Sequence, residues 1–203
     1  KEKTGIGRIV TVLKRTRAGV QREARASVSS LKKKKTIKEI HFVLGQMSGA
    51  AMSGLSTDGL AECRQRARVM ILAKLRDLLG YEKYVMMPSE VTELHQMRIA
   101  AKRLRYTLEC FEPLFGNQGS GFIKKVRKLQ TALGRVHDFD IWLGRLPSLA
   151  QNAAKNQELL LAKKYLMGKY STLRSDGYME FIELWKKLKK ERTWQKITRL
   201  VTK

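Results

Sequence analysis

The sequence predicts an all-α fold, and three observations indicate it. Only 3 of the 203 residues are proline, and runs of β-branched residues are scarce. Apolar residues recur along most of the chain at the three-to-four-residue spacing of amphipathic helices. They make up 43% of the composition, which is enough to bury a sizeable core. We therefore expect long antiparallel helices packed as a bundle, with no strand.

Three helices are predicted in the first part of the chain. The spacing of apolar residues places them over 8–30, 36–48 and 60–80. Gly80 marks the end of the third helix. Residues 48–59 are small and polar, which favours a loop or a flexible connection between the second and third helices.

Four more helices follow, and they cover 88–115, 120–146, 149–173 and 178–200. Pro88 begins the first of them, and the run Gly116-Asn117-Gln118-Gly119 ends it. Pro147 ends the second because proline cannot continue a helix. Ser175-Asp176-Gly177 is expected to break the chain between the last two.

A weak internal repeat suggests two related helical halves. Residues 12–47 and 159–188 both run as a long helix, a turn and a short helix. Chance similarity between two amphipathic hairpins is the alternative. The repeat divides the chain into a closing hairpin of an incomplete first half (1–47), a connection (48–59) and a second half-bundle (60–203).

The chain is strongly basic, with 42 Lys and Arg against 18 Asp and Glu, for a net charge of +24. The excess is uneven: residues 1–40 carry 13 basic and 3 acidic side chains, 41–94 carry 6 of each, and 95–135 carry 9 and 2. A folded protein this basic repels itself unless it meets an anion. Nucleic acid, an anionic membrane surface and a phosphate polymer are therefore candidate partners, whereas a weakly charged metabolite is disfavoured.

The composition also argues against a membrane-spanning protein and against a disulfide-rich protein. No apolar stretch approaches the roughly 18 residues of a membrane span. Cys63 and Cys110 form no disulfide framework or metal cluster, and both are expected to be buried free thiols in a reducing, cytoplasmic compartment.

A basic stripe follows residues 94–106. At about 100° per residue, its five members fall within roughly 100° of each other around the helix; they are His95, Arg98, Lys102, Arg105 and Tyr106. The opposite side is apolar and carries Leu94, Met97, Ala101, Leu104, Leu108, Phe111 and Phe115. Clustered like charges cost free energy, so this basic stripe indicates an anionic ligand rather than a merely solvated face.

The next helix repeats the pattern. Lys124, Lys128 and Arg135 share one face, with Lys125 and Arg127 beside it. If the two helices are antiparallel neighbours, their basic faces line one groove.

Catalytic arrangements are not supported. The three histidines have no metal-ligand spacing, and no phosphate-binding glycine loop is present. Asp138 and Asp140 resemble a metal-binding pair, but structural ion pairing is the preferred interpretation. Helical spacing places Asp140 on the core side, where its carboxylate needs a cationic partner.

Two motifs in this region resemble a known family. The run His-x-x-Arg-x-x-x-Lys-Arg-Leu-Arg-Tyr over 95–106, closing with Phe115-Gly116, resembles the signature of the CHAD family, the conserved-histidine α-helical domain. The run Leu-Gln-x-x-Leu-Gly-x-x-His-Asp-x-Asp over 129–140 resembles that family's second motif. The resemblance is sharpest over 90–146.

The resemblance implies two helical bundles related by a pseudo-twofold axis, with inorganic polyphosphate bound along a basic channel between them. Carried over by position, it implies phosphate contacts from His95, Arg98, Lys102, Arg105, Lys124, Lys125 and Lys128. Arg103 and Tyr106 match the signature, although Arg103 points away from the basic stripe; Arg127 and Arg135 complete the expected site.

The sequence departs from the family pattern because it contains one copy of the signature where two are expected. A fragment, a variant that completes its channel as a homodimer, and a sequence with missing segments all remain open.

The expected function is non-enzymatic binding of inorganic polyphosphate, with no cofactor or metal, in the cytoplasm or on polyphosphate granules. Two alternatives remain. A nucleic-acid-binding protein fits the charge equally well, but the basic stripe has a single aromatic residue, Tyr106, for stacking. A metal-dependent phosphohydrolase needs a carboxylate cluster on the basic face, and the sequence provides none there.

Overall fold

The computed structural model describes residues 2–33, 57–115, 117–149 and 156–202. Within these ranges there are six α-helices and no strand, and the helices are α1 (Glu2–Lys33), α2 (Thr57–Leu79), α3 (Val91–Cys110), α4 (Asn117–Leu149), α5 (Gln157–Lys190) and α6 (Thr193–Thr202). Short 3-10 turns at Glu82–Tyr84 and Glu112–Leu114 flank α3. The all-α prediction is confirmed. None of the described helices has an apolar stretch long enough to span a bilayer.

Two parts of the sequence prediction lie outside the described residues. These are the helix over 36–48 and the connection over 48–56. Thr57–Gly59, expected in that connection, instead belong to the start of α2.

The chain divides into two compact units. One comprises Lys1–Leu60 with Leu149–Lys164, and the other comprises Ala61–Ser148 with Tyr165–Lys203. The division into 1–47, 48–59 and 60–203 stays a prediction.

In the first unit, α1 packs on the first turns of α5 through a close approach of the two backbones. A Cβ atom on Gly5 would collide with the carbonyl oxygen of Glu158 and would lie 2.8 Å from the Cβ of Ala162. Glycine is therefore required at position 5. Ile9 and Ala162 are buried beside this contact.

Asn156 caps α5, since its side-chain oxygen accepts a hydrogen bond from the Glu158 backbone N–H at 3.2 Å.

The second unit has a continuous apolar core. Five of the seven residues of the predicted apolar face are buried on α3, namely Leu94, Met97, Ala101, Leu104 and Leu108. The other two, Phe111 and Phe115, lie beyond the end of α3 and are partly buried against the core. The core also contains Val126, Leu129 and Leu133 from α4, Phe181 and Trp185 from α5, and Ile197 from α6. Each such side chain contributes roughly 1.5–3 kcal/mol on burial. The basic stripe lies beside this buried face, and Nε of Arg98 and of Arg105 is itself buried.

The predicted break at Ser175-Asp176-Gly177 is wrong, because α5 runs through it. Gly177 is buried in the helix, where a Cβ would lie 3.9 Å from the Arg135 Cβ and 3.9 Å from Val136 Cγ2 of α4. An added Cβ would make only ordinary van der Waals contacts there, so Gly177 neither ends the helix nor is required by its packing.

The real break lies later, so the single predicted helix over 178–200 is also wrong. Arg192 has a φ of 52°, in the left-handed region that ends helices. The turn brings Trp194 against Trp185, with ring centroids 5.3 Å apart. Burial of both indole rings offsets the cost of about 1–2 kcal/mol for a non-glycine residue in this conformation.

Three smaller predictions also need correction. α3 begins at Val91 and ends at Cys110, because a 3-10 turn containing Pro113 follows it. Pro147 lies inside the last turn of α4 and does not end the helix before it. Cys63 and Cys110 are free, but neither is buried as predicted: Cys63 is partly exposed, and Cys110 is exposed because it lies away from the core side of α3.

Candidate anion-binding site

The basic stripe of α3 lies against α4, and the two helices are antiparallel, as predicted. The ring of His95 stacks on that of His137 at one end of the pair. At the other end, Arg105 and Arg127 bind the same carboxylate, that of Glu109. Residue numbers rise along α3 as they fall along α4, which defines the direction.

The two histidines form a stacked pair. Their ring centroids lie 4.0 Å apart with an interplanar angle of 28°. In both rings, Nδ1 is buried and has no hydrogen-bond partner within the described residues. Burial lowers the pKa of His95 below its ordinary value, and the neighbouring His137 and Arg98 lower this pKa further. Without an anion nearby, the neutral form of His95 is therefore favoured.

Arg98 crosses α4 at a glycine. A Cβ added to Gly134 would lie 3.4 Å from Nε of Arg98, so the Arg98 side chain packs directly on α4 at this position. That Nε is buried without a hydrogen-bond partner in the described chain, and so is Oε1 of Gln130.

Glu109 joins the two helices electrostatically. Its Oε1 accepts a hydrogen bond from Nη1 of Arg105 at 3.1 Å and another from Nη2 of Arg127 at 2.9 Å. The Tyr106 ring lies under two cations, with Arg105 Cζ 4.3 Å and Lys102 Nζ 5.8 Å from its centroid. The far end of the basic stripe is thus a cluster of three cations around one carboxylate and one aromatic ring.

A cavity of about 460 Å³ continues this surface along α4. We call it the α4 cavity, and its lining consists of Lys124, Arg127, Lys128, Thr131, Ala132, Arg135 and Glu180. Arg135 binds the carboxylate of Glu180 across to α5. Arg127 lines the cavity and also reaches Glu109, so the α4 cavity and the basic stripe are contiguous.

Two of the eleven expected site residues lie elsewhere. Lys125 faces the end of α5, where its Nζ donates to the Glu191 carboxylate at 2.6 Å. Arg103 lines a separate cavity with residues of α2. The remaining nine lie on the basic stripe or in the α4 cavity.

The residues that connect the helices were not among the expected site residues. His137, Gly134 and Gln130 belong to the second motif and follow one another at helical spacing on the side of α4 that meets the basic stripe. The motif alone did not show that this side of α4 contacts α3. Glu109 and Glu180 carried no signal of their own, because a carboxylate beside a basic run does not reveal which arginine it binds.

Asp140 has the cationic partner that its position requires. Its Oδ1 accepts a hydrogen bond from Nε of Arg174 at 2.9 Å, and both side chains are largely buried. Arg174 also donates through Nη2 to the Pro88 carbonyl at 2.5 Å, and the Tyr178 hydroxyl donates to the Val85 carbonyl at 2.7 Å. These bonds tie α4 and α5 to the segment that leads into α3.

Comparison with known proteins identifies the family to which the residues of this site belong. A family model described as the CHAD domain matches residues 1–147, which include the basic stripe and all of the α4 side chains described above. Searches of curated proteins and of solved structures found no match. Among the described residues, no group of three or more His, Cys, Asp or Glu side chains is placed to hold a metal ion. The family match and the helical fold together show that the chain belongs to the CHAD family, which is associated with polyphosphate binding.

Proposed function

We propose that this chain binds inorganic polyphosphate, without catalysing a reaction on it, along the basic stripe and the α4 cavity. The observation that supports this most is the position of Arg127, which lines the cavity and shares a carboxylate with Arg105. Basic side chains therefore line a continuous path from the basic stripe on α3 to the α4 cavity, along which a linear polyanion can bind. Four cations on this path have no carboxylate partner within the described chain, and they are Arg98, Lys102, Lys124 and Lys128.

The acidic side chains favour a long ligand. Glu109 and Glu180 already bind three of the arginines, so an anion must replace them. Charge-assisted hydrogen bonds to phosphate oxygens are strong enough to do so, but each exchange alone gains little. A chain of many phosphates makes several exchanges in one binding event, whereas orthophosphate makes one.

Nucleic acid is a less suitable ligand for the same surface. The Tyr106 ring is the one aromatic group on the basic stripe. Proteins that bind single strands stack successive bases on several aromatic rings along the binding groove. The same surface therefore favours a ligand that offers only phosphate.

A competition experiment tests the proposal. We expect long-chain polyphosphate to bind with an affinity that falls steeply with salt, because binding releases condensed counterions. Duplex DNA or RNA at equal phosphate concentration is expected to displace little of it. Efficient displacement would establish nucleic acid as the ligand, and release of orthophosphate with added Mg²⁺ would establish an enzyme.

The stacked histidines predict a pH dependence. The pKa of His95 is lowered in the free protein, and a bound polyanion favours the imidazolium, so binding takes up a proton. We therefore expect several-fold tighter binding at about pH 5.5 than at about pH 8, with the gain appearing as pH falls. Isothermal titration in two buffers of different ionisation enthalpy measures the proton uptake.

The variant His95→Gln distinguishes protonation of His95 from protonation of the polyphosphate itself. It should still bind polyphosphate, and the remaining pH dependence of its affinity should come from the phosphate groups alone. An unchanged pH profile in the variant would remove His95 from the linkage.

A further inference from the structure

The other flank of α3 carries a cavity that polyphosphate binding does not explain. Its volume is about 530 Å³, within the ordinary range for small-molecule sites. It is bounded by the end of α2, the turn through Gly80–Tyr84, and α3 up to Arg103. Arg103 lies about 100° around α3 from Lys102. None of the α3 residues that line this cavity belongs to the basic stripe.

Three cations from three different elements line this cavity, and they are Arg76, Lys83 and Arg103. Within the described chain, none of the three forms an ion pair with a carboxylate. Two acids, Asp77 and Glu93, also line it, and Asp77 already binds Lys74 at 3.1 Å. The local excess of positive charge favours an anion.

The rest of the lining favours a ligand with a ring as well as a charge. Tyr81 and Tyr84 are half-buried, with ring centroids 6.4 Å apart, and Lys83 Nζ lies 4.8 Å from the Tyr84 centroid. Ile99 and Ala100 add an apolar surface from α3. Aromatic faces next to guanidinium and ammonium groups match a base attached to a phosphate chain.

We infer that this cavity binds a nucleoside polyphosphate, with the phosphates on Arg76, Lys83 and Arg103 and the base against the tyrosines. The site is separate from the one proposed for inorganic polyphosphate and does not depend on it. Arg103, which matches the family signature but leaves the basic stripe, contacts phosphate here.

Isothermal titration of the whole chain with ATP, without added metal, tests the inference. Arg103→Ala should weaken ATP binding at least about tenfold, since it removes a charge-assisted contact. Arg199→Ala removes the same charge from an exposed position on α6 and should leave ATP binding unchanged. Equal losses in the two variants would overturn the site, as would no binding of ATP.

The contribution of the base is tested separately. Inorganic tripolyphosphate should bind this cavity more weakly than ATP, and Tyr84→Ala should reduce that difference. Tripolyphosphate competing as well as ATP would overturn recognition of the base. Long-chain polyphosphate binding should fall no further in Arg103→Ala than in Arg199→Ala, so failure of this site and failure of the proposed function are distinguishable.

Discussion

Replacing Arg98, Lys102 and Arg105 together with alanine is expected to weaken binding of long-chain polyphosphate by more than about a hundredfold. Each guanidinium or ammonium contact to a charged oxygen contributes about 1.5–3 kcal/mol, and solvent at this surface reduces that value. Three such losses still exceed about 3 kcal/mol, which corresponds to a factor of more than 100 in Kd. Equilibrium binding of labelled polyphosphate measures the change.

The fold is expected to survive this change. None of the three side chains belongs to the apolar core face of α3, Glu109 keeps Arg127 as a partner when Arg105 is removed, and alanine is the best helix former. Loss of Arg98 and Arg105 also removes two buried Nε atoms that have no hydrogen-bond partner within the described residues. The helical circular dichroism spectrum and the urea midpoint should therefore change little.

A control variant with the same loss of charge distinguishes binding at the basic stripe from a general effect of net charge. Lys186, Lys190 and Arg199 are exposed on α5 and α6, and replacing all three with alanine removes the same charge. This variant should lose only a few-fold in affinity. If the two triple variants lose affinity equally, binding follows net charge and the basic stripe is not the site.

Glu109→Gln should act in the opposite direction. It removes the carboxylate that holds Arg105 and Arg127, and so releases two guanidinium groups for the ligand. Binding is expected to tighten several-fold, with a larger gain for short chains, which can replace fewer carboxylates at once. Weaker binding in this variant would mean that Glu109 positions the arginines rather than competing for them.

The sequence was sufficient for features that depend on a single helix. Helical spacing alone predicts five of the six buried residues of α3 and the residues of the basic stripe, because 3.6 residues per turn determines both faces; Ala100 is the buried residue that it missed. It also identified Asp140 as a residue on the core side that needs a cation. These predictions required no knowledge of what packs against α3.

Features that depend on two elements could not be predicted in the same way. Gly177 carries the same local signal whether it ends a helix or lies inside one, and only the packing of α5 on α4 decides between them. The stack of His95 on His137 and the shared carboxylate of Glu109 arise from the register between α3 and α4. That register is determined by the core of the whole unit rather than by either segment.

Arg174→Ala is expected to lower the free energy of unfolding by about 3 kcal/mol, the largest stability effect predicted for a polar side chain here. Arg174 is 15% exposed and its partner Asp140 is 9% exposed. Removal of one partner leaves a buried charge without compensation, which costs about 3–5 kcal/mol in such pairs. The Pro88 carbonyl also loses its donor, and urea denaturation followed by tryptophan fluorescence measures the total.

Asp140→Asn should cost less than Arg174→Ala, because the amide still offers an oxygen to the guanidinium. The exposed pair of Arg66 and Glu62 provides the comparison, and Glu62→Gln should not shift the urea midpoint measurably. If Arg174→Ala unfolds at the same urea concentration as Glu62→Gln, the buried pair contributes nothing and the segment before α3 is held by apolar packing alone.

The same variants test whether this network positions the anion-binding residues. Arg174 and Tyr178 hold the segment at 85–88, and α3 with His95 begins directly after it. In Arg174→Ala, measured in dilute buffer where the chain stays folded, polyphosphate binding should fall and its pH dependence should flatten, because the His95–His137 stack loosens. A stability loss with an unchanged pH profile would mean that the network supports the fold but not the geometry of the histidines.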